Sequence, residues 1–347
     1  MNWTARIALI LWMLLAALGL PSSALADDAS KYQTLQVFFE NDLFGNTDKY
    51  YTNAVQLTWL SKDLEEYSKD VRLPEWSLPL IRMAPFVNDP DSMHNVGLIL
   101  GQQIYTPSDI STPALLVDDR PYAGFLYAGL ALHSKTATQL DTIELVAGMI
   151  GPSALGEEAQ NTVHQLRDLQ QAEGWDNQLR DEPAIRLSWQ RKWRAWEHTA
   201  DCCLGADLIP FAGTTVGNVL TAANAGAEFR FGYRLPRDFG SDVIRPGAGV
   251  SVPEPSGPQL TPWGRFGLHL FAAAQVQAVA RNIFLDGNTW KDSHSVDKHP
   301  LVAQVSAGLA LTFERLKVTY RHMLRTKEFE SQDDPQVIGS LTLTWSF

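Results

Sequence analysis

Three short polar clusters in this 347-residue chain carry side chains that could do chemistry. The first is Phe39-Glu40-Asn41-Asp42, followed by Gly45-Asn46-Thr47-Asp48-Lys49 and then Tyr50-Tyr51-Thr52-Asn53. Carboxylate and amide oxygens this close suit a hard cation such as calcium, which takes about six to eight oxygen ligands. The same residue types also make an ordinary polar hairpin loop. The second cluster is Asp118-Asp119-Arg120-Pro121-Tyr122-Ala123-Gly124. Arg120 could grip a phosphate with two parallel hydrogen bonds or pair with either aspartate; the plainer reading is a turn with a local ion pair. The third lies in the segment 151–182, whose middle, Gly156 to Leu166, predicts a helix. Pro152 and Ser153 mark its start, and Glu157 and Glu158 suit its first turn. Ala159, Val163 and Leu166 form an apolar stripe at helical spacing. Gln160 and His164, four apart, share a second, polar face. His164 could be a general base, since an unperturbed imidazole titrates near neutrality; the alternative is a solvated surface histidine. Gln160 could orient a base or a water.

Other chemistries lack their residues. No Gly-x-Ser-x-Gly elbow and no His-Glu-x-x-His pair occurs. The two cysteines, Cys202 and Cys203, are adjacent, so they lack zinc spacing and could close only a strained ring. They read as incidental. The net charge is -11, without basic runs, which argues against nucleic acid as a partner.

The elements that must position these clusters read as an all-β fold. Arg6, the apolar run Ile7 to Leu20 and Ala24-Leu25-Ala26 have the order of a secretory signal peptide. Its removal as residues 1–26 would take away one charge, Arg6, and leave residues 27–347 as the mature protein at -12. No later segment is apolar enough for a membrane helix, so the mature chain is expected to be soluble or a barrel. Period-two alternation recurs throughout. Val337, Leu341, Leu343, Trp345 and Phe347 fall on one face of the last segment, with Ser340, Thr342, Thr344 and Ser346 on the other. Ile185, Leu187, Trp189 and Trp193 alternate with Arg186, Ser188, Gln190 and Lys192. An apolar face toward lipid and charges of both signs toward a wet interior describe a membrane barrel, and aromatic residues near strand ends suit its girdles.

Twelve strands are expected, near 33–41, 51–61, 94–104, 123–133, 140–150, 183–195, 202–211, 222–234, 265–280, 300–313, 315–326 and 336–347. The fold class is then a twelve-stranded antiparallel transmembrane β-barrel with a helix in an extracellular loop. An even count puts both termini in the periplasm. The outer loops become 42–50, 105–122, 151–182, 212–221, 281–299 and 327–335, which places all three polar clusters at the outer rim. Periplasmic connections near 134–139, 196–201 and 314 are short; 62–93 and 235–264 are long and fit this scheme least well.

Taken together, the clusters resemble the outer-membrane lipid A 3'-O-deacylase family. The resemblance rests on Glu40-Asn41-Asp42 with Tyr51-Thr52-Asn53-Ala54, Ile104-Tyr105-Thr106-Pro107, and Asp119-Arg120-Pro121-Tyr122-Ala123-Gly124. It continues through Gly151-Pro152, Gln160-Asn161, His164 and Gly174-Trp175-Asp176-Asn177-Gln178-Leu179. It runs from about residue 35 to 195 and resumes weakly in the final strands. It implies a twelve-stranded barrel in the cell outer membrane that removes an ester-linked 3' acyl chain from lipid A. It also implies calcium dependence, with a histidine activating water. The motif positions carry over as Asn41, Asp42, Thr52, Gln160 and His164, with Asp42 as a calcium ligand and His164 as the base. Arg120 is expected to contact substrate. The implied partners are lipopolysaccharide and outer-membrane lipids, with the chain acting as a monomer. Some members carry a lysine in the second outer loop, where this chain has Ser111-Thr112, so phosphate or sugar recognition departs there. An outer-membrane phospholipase using the same pair, or a non-enzymatic porin or adhesin with degenerate residues, remains open at this stage.

Overall fold

The computed structural model describes residues 32–42, 50–67, 75, 78–83, 92–200, 203–241 and 266–347. The expected signal peptide, the polar loop Gly45–Lys49 and Cys202 lie outside the described residues. The strands are β1 (Thr34–Asn41), β2 (Tyr50–Leu60), β3 (Met93–Thr106), β4 (Ala123–Lys135), β5 (Gln139–Ile150), β6 (Glu182–Trp193) and β7 (Trp196–Thr199). They continue as β8 (Leu204–Gly217), β9 (Leu220–Tyr233), β10 (Phe266–Asn282), β11 (Leu301–Phe313), β12 (Leu316–Arg325) and β13 (Gln336–Ser346). Helices α1 (Leu78–Ile81), α2 (Gly156–Leu166) and α3 (Ile283–Asp286) interrupt them.

Every strand pairs antiparallel with its neighbours. The sheet closes because β1 pairs with β13 and β6 pairs with β8. The short β7 continues along β8 past the point where β6 leaves it, with Trp196 opposite Leu208 and Lys192 opposite Phe211. The two segments thus share one stave, and the barrel has the twelve staves that the alternation predicts. Closure leaves no open sheet edge, which hydrocarbon would not tolerate.

The two faces sort as the pattern requires. Leu100, Leu187, Phe229 and Leu270 are 55, 50, 45 and 60% exposed on the outer wall. Gln36, Arg186, Arg230, Lys317 and Arg321 are buried in the lumen. Leu187→Lys would put a charge in the apolar band, midway along β6. It is expected to destabilise the barrel by about 2–4 kcal/mol, read as a lowered urea midpoint for unfolding from lipid vesicles.

The two rims differ. One carries Thr34, Leu60, Phe313 and Ser346, near the C-terminus; we call it the near rim. The other, the far rim, carries Asn41, Thr106, Ala123, Ile150, Glu182 and Arg325, with the segments 107–122, 151–181, 283–300 and 326–335 above it. The expected outer loop 212–221 is not one: β8 runs to Gly217 and β9 starts at Leu220, because Thr214 and Thr215 pair directly with Ala223 and Ala222. The expected turn 196–201 is instead largely β7.

The two long near-rim connections are built differently from loops. Leu64 bridges to His94, and Leu64, Tyr67 and Ile81 pack on Val96 and Leu132 of the outer wall. Tyr67 donates its hydroxyl to the His133 carbonyl (2.7 Å) and stacks on His94, and burial pushes its phenol well above the ordinary range. In the second connection, residues 235–241 turn into the lumen; residues 242–265 lie outside the described set. Asp238 is fully enclosed between Arg230 and Lys317. Lys192 donates to the Phe239 carbonyl (3.2 Å), and Arg321 donates to Ser241 (2.9 Å) and Glu228 (2.7 Å). Lys192 sits on β6 and Lys317 on β12, with β8, β9, β10 and β11 between them, so the segment ties nearly opposite walls together.

Candidate functional site on the outer wall

On β3 the odd residues Gln103 and Tyr105 line a lumenal cavity, whereas Leu98 and Leu100 are exposed outside. Gln102, Ile104 and Thr106 share the outward parity, and they build the site. Gln102 donates its amide to the carbonyls of Ala154 (2.7 Å) and Leu155 (3.1 Å), fixing the turn before α2. Ile104 packs with Ile110, Tyr122, Ala172 and Trp175, and Ala159 of α2 packs onto that cluster. Thr106 shares a 2.7 Å hydrogen bond with Thr52, which lies where the β2–β3 register shifts. The helix therefore sits on the outer face of the barrel top, over β3 and β4.

Gly151 makes that placement possible. Its φ of 99° and ψ of -161° belong to a region open only to glycine, and a Cβ there would lie 2.6 Å from the Arg180 carbonyl carbon and the Asp181 nitrogen. Gly151→Ala is expected to cost about 1–3 kcal/mol locally and to loosen 151–181, read as faster trypsin cleavage after Arg167 while the barrel stays intact.

The helix buries its polar face, and of the apolar stripe read from the sequence only Ala159 packs inward. Gln160 and His164 are both 3% exposed, whereas Val163 and Leu166 face outward at 38% and 72%. The reason is that matched partners await the polar pair. The Trp175 indole donates to Gln160 Oε1 at 3.0 Å. An indole can only donate, so the amide orientation is fixed. Its NH2 is then buried with no hydrogen-bond acceptor among the described residues. His164 Nδ1 bonds the backbone carbonyl of Gln170. A carbonyl only accepts, so Nδ1 carries the proton and Nε2 is the nitrogen able to take one. A solvated surface histidine is excluded.

Asn41 closes β1, opposite Gly339 and Asn53, and Asp42 follows it, completely buried at the far rim. Thr52 stands on the neighbouring strand. Arg120 behaves differently from the expectation. Its side chain is fully enclosed, 4.8 Å over the Tyr105 ring, with Nη1 3.4 Å from Glu328. It pairs with neither Asp118 nor Asp119, because its guanidinium turns toward the lumenal face of β3, away from α2. Asp119 instead accepts from the Ser108 amide and hydroxyl. Asp109 is exposed; hydrogen bonds from the Ser111 hydroxyl and amide hold its carboxyl below the ordinary value. Trp175, Gln170 and Gln102 escaped the sequence reading as site residues. Their roles depend on a buried indole donor, a backbone carbonyl and the side of a strand.

Among the described residues, no three His, Cys, Asp or Glu side chains group as a metal site. The oxygens at this rim, the Asp42 carboxylate with Asn41, Thr52 and Thr106, are nonetheless of the hard type that calcium takes. They fit that ion in kind, with one acidic ligand and neutral oxygens.

Comparison with known proteins identifies the family and the fold. The model of the family described as outer membrane protein LpxR matches residues 9–347. No curated protein sequence matches the chain. LpxR from Salmonella typhimurium superposes with a TM-score of 0.71 at 18% identity, over 90% of this chain and 100% of that one. The β domain of the Bordetella autotransporter BrkA is far less alike, with a TM-score of 0.43 at 9% identity over 91% and 98% of the two chains. With its motifs, closed barrel and outer-wall helix in place, the chain belongs to the LpxR family of outer membrane proteins.

Proposed function

We propose that this protein hydrolyses an ester-linked 3' acyl chain of lipid A in the outer leaflet, with His164 as the base. The observation that carries this reading is the buried imidazole on the outer wall, held through Nδ1 by the Gln170 carbonyl so that Nε2 accepts a proton. The far rim faces the cell exterior, where lipid A lies. In the reaction, Nε2 takes a proton from a water that attacks the ester carbonyl carbon. The same nitrogen returns the proton to the departing sugar oxygen, which leaves a free fatty acid and a sugar hydroxyl. Gln160, its carbonyl held by Trp175, offers its amide N–H groups to the water or the carbonyl oxygen. Burial under α2 keeps bulk water from competing. A bound calcium, held by Asp42 with Asn41 and Thr52 beside it, would stabilise negative charge on the carbonyl oxygen. Arg120 acts through structure: it ties the 107–122 segment to Glu328.

The reading is tested by expressing the chain in a Gram-negative host and following lipid A by mass spectrometry. Loss of one ester-linked acyl unit is expected, and chelating calcium in isolated outer membranes is expected to suppress it by at least about tenfold, with recovery on calcium addition. Unchanged lipid A in cells holding the folded barrel would refute the reading; cleavage of phospholipid instead would make the protein a phospholipase.

A further inference from the structure

Inside the barrel, on the opposite face of β3 from α2, lies a cavity of about 110 Å³ at the far-rim end of the lumen. Its lining is unusual in chemistry. On one side stand amides in two cross-strand rows, Asn224 opposite Gln277 and Gln275 opposite Gln304, on β9, β10 and β11. On the other stand aromatic rings: Tyr105 stacks on Phe284 of α3 at 3.9 Å and leans on Tyr51 at 5.3 Å. The charged groups at its edge already have partners, and both arginines are in ion pairs. Arg186 bonds Glu144 (2.8 Å), Arg325 faces Glu328 (3.5 Å), and Glu40 accepts from Tyr51 (2.9 Å).

We infer that this chamber is a binding site for an uncharged, hydroxyl-rich ligand, a sugar residue. Gln304 already accepts from Arg325 (3.1 Å), but primary amides both donate and accept, so the Asn224 and Gln277 pair matches hydroxyls, which also do both. Tyr105 is covered by Phe284 and Arg120, so the rings supply an apolar wall rather than an open stacking face, and an apolar wall facing a few convergent polar groups is the general form of a small-molecule site. Edge charges that already have partners disfavour an ion. The cavity volume of about 110 Å³ corresponds to roughly seven to eleven waters at 10–15 Å³ each, on the order of the heavy atoms of one hexose residue. The segment 235–241 enters the lumen on the near-rim side of the chamber, bonded to Arg230, Lys317 and Lys192. The site stands independently of the hydrolytic reading, since the strand wall separates the two.

The test is calorimetry on the full-length protein in detergent, with two probes. One is the delipidated core oligosaccharide released from lipopolysaccharide by mild acid; the other is maltotriose. Saturable binding of the core oligosaccharide alone identifies a membrane-borne glycan as the source; binding of both identifies free sugars. Either supports the site if Gln277→Ala and Asn224→Ala each weaken it about tenfold, the effect of roughly one lost hydrogen bond. Both variants are expected to keep lipid A hydrolysis and heat-modifiable migration on gels, which separates this inference from the hydrolase reading. No saturable binding of either sugar to the folded protein overturns the inference, and so does binding that neither variant changes.

Discussion

Replacing His164 by alanine is expected to lower lipid A deacylation by about 10²–10⁴-fold, the range a positioned proton acceptor contributes. The effect should fall on kcat, with KM little changed, because the imidazole acts on the water rather than on the acyl chain. His164 also tethers the segment after α2 through Gln170, so alanine removes a structural contact worth about 1 kcal/mol as well. His164→Asn separates the two roles. Its side-chain amide can still donate to the Gln170 carbonyl but cannot accept a proton at neutral pH. Equal loss of activity in both variants, with the Asn protein resisting proteolysis like wild type, assigns the loss to the base. Activity retained by His164→Asn would contradict it.

The second large effect concerns the lumen. Asp238 is enclosed between Arg230 and Lys317, and Arg230 also bonds Asp207 (2.8 Å). Truncating one member of such a buried cluster leaves charge without its counter-ion and costs about 3–5 kcal/mol. Asp238→Ala leaves Lys317, 3% exposed, facing Arg230 without the carboxylate between them. The relief available is for residues 235–241 to leave the lumen, since the barrel wall is held by its own ladder. Wild-type protein in planar bilayers is therefore expected to be electrically silent, and Asp238→Ala to show discrete conductance steps. Asp238→Asn keeps the shape without the charge and should fall between. Conductance in the wild type would show that the segment does not seal the lumen.

Much of this architecture was legible in the sequence, for a physical reason. Alternation is imposed by the pleat, and lipid on one side with water on the other writes it strongly, so Leu341, Leu343 and Trp345 revealed β13 without help. The register also put Asn41, Thr52, Arg120 and His164 at one rim. What stayed hidden depended on contacts between distant segments. Val163 and Leu166 stood out as part of an apolar stripe on α2, but periodicity reports hydrophobicity, not which side finds partners; Trp175 and Gln170 decided that. Arg120 read most plainly as a turn residue paired with a neighbouring aspartate, yet its partner Glu328 lies 208 residues away. Residues 235–241 read as part of a long periplasmic connection, since an acidic residue two positions after a proline carries no sign that Lys317 waits inside. Strand β8 was read too short because Ala212, Gly213 and Thr214 lack the apolar contrast that marks its neighbours.

The helix over β3 and β4 has one last consequence. Because its polar pair lies on the outer wall of the cylinder rather than in the lumen, a lipid substrate would arrive by sliding within the leaflet and need never leave it. Turnover should therefore follow the mole fraction of substrate among surrounding lipids, and diluting vesicles in buffer at constant composition should leave the rate per enzyme unaltered.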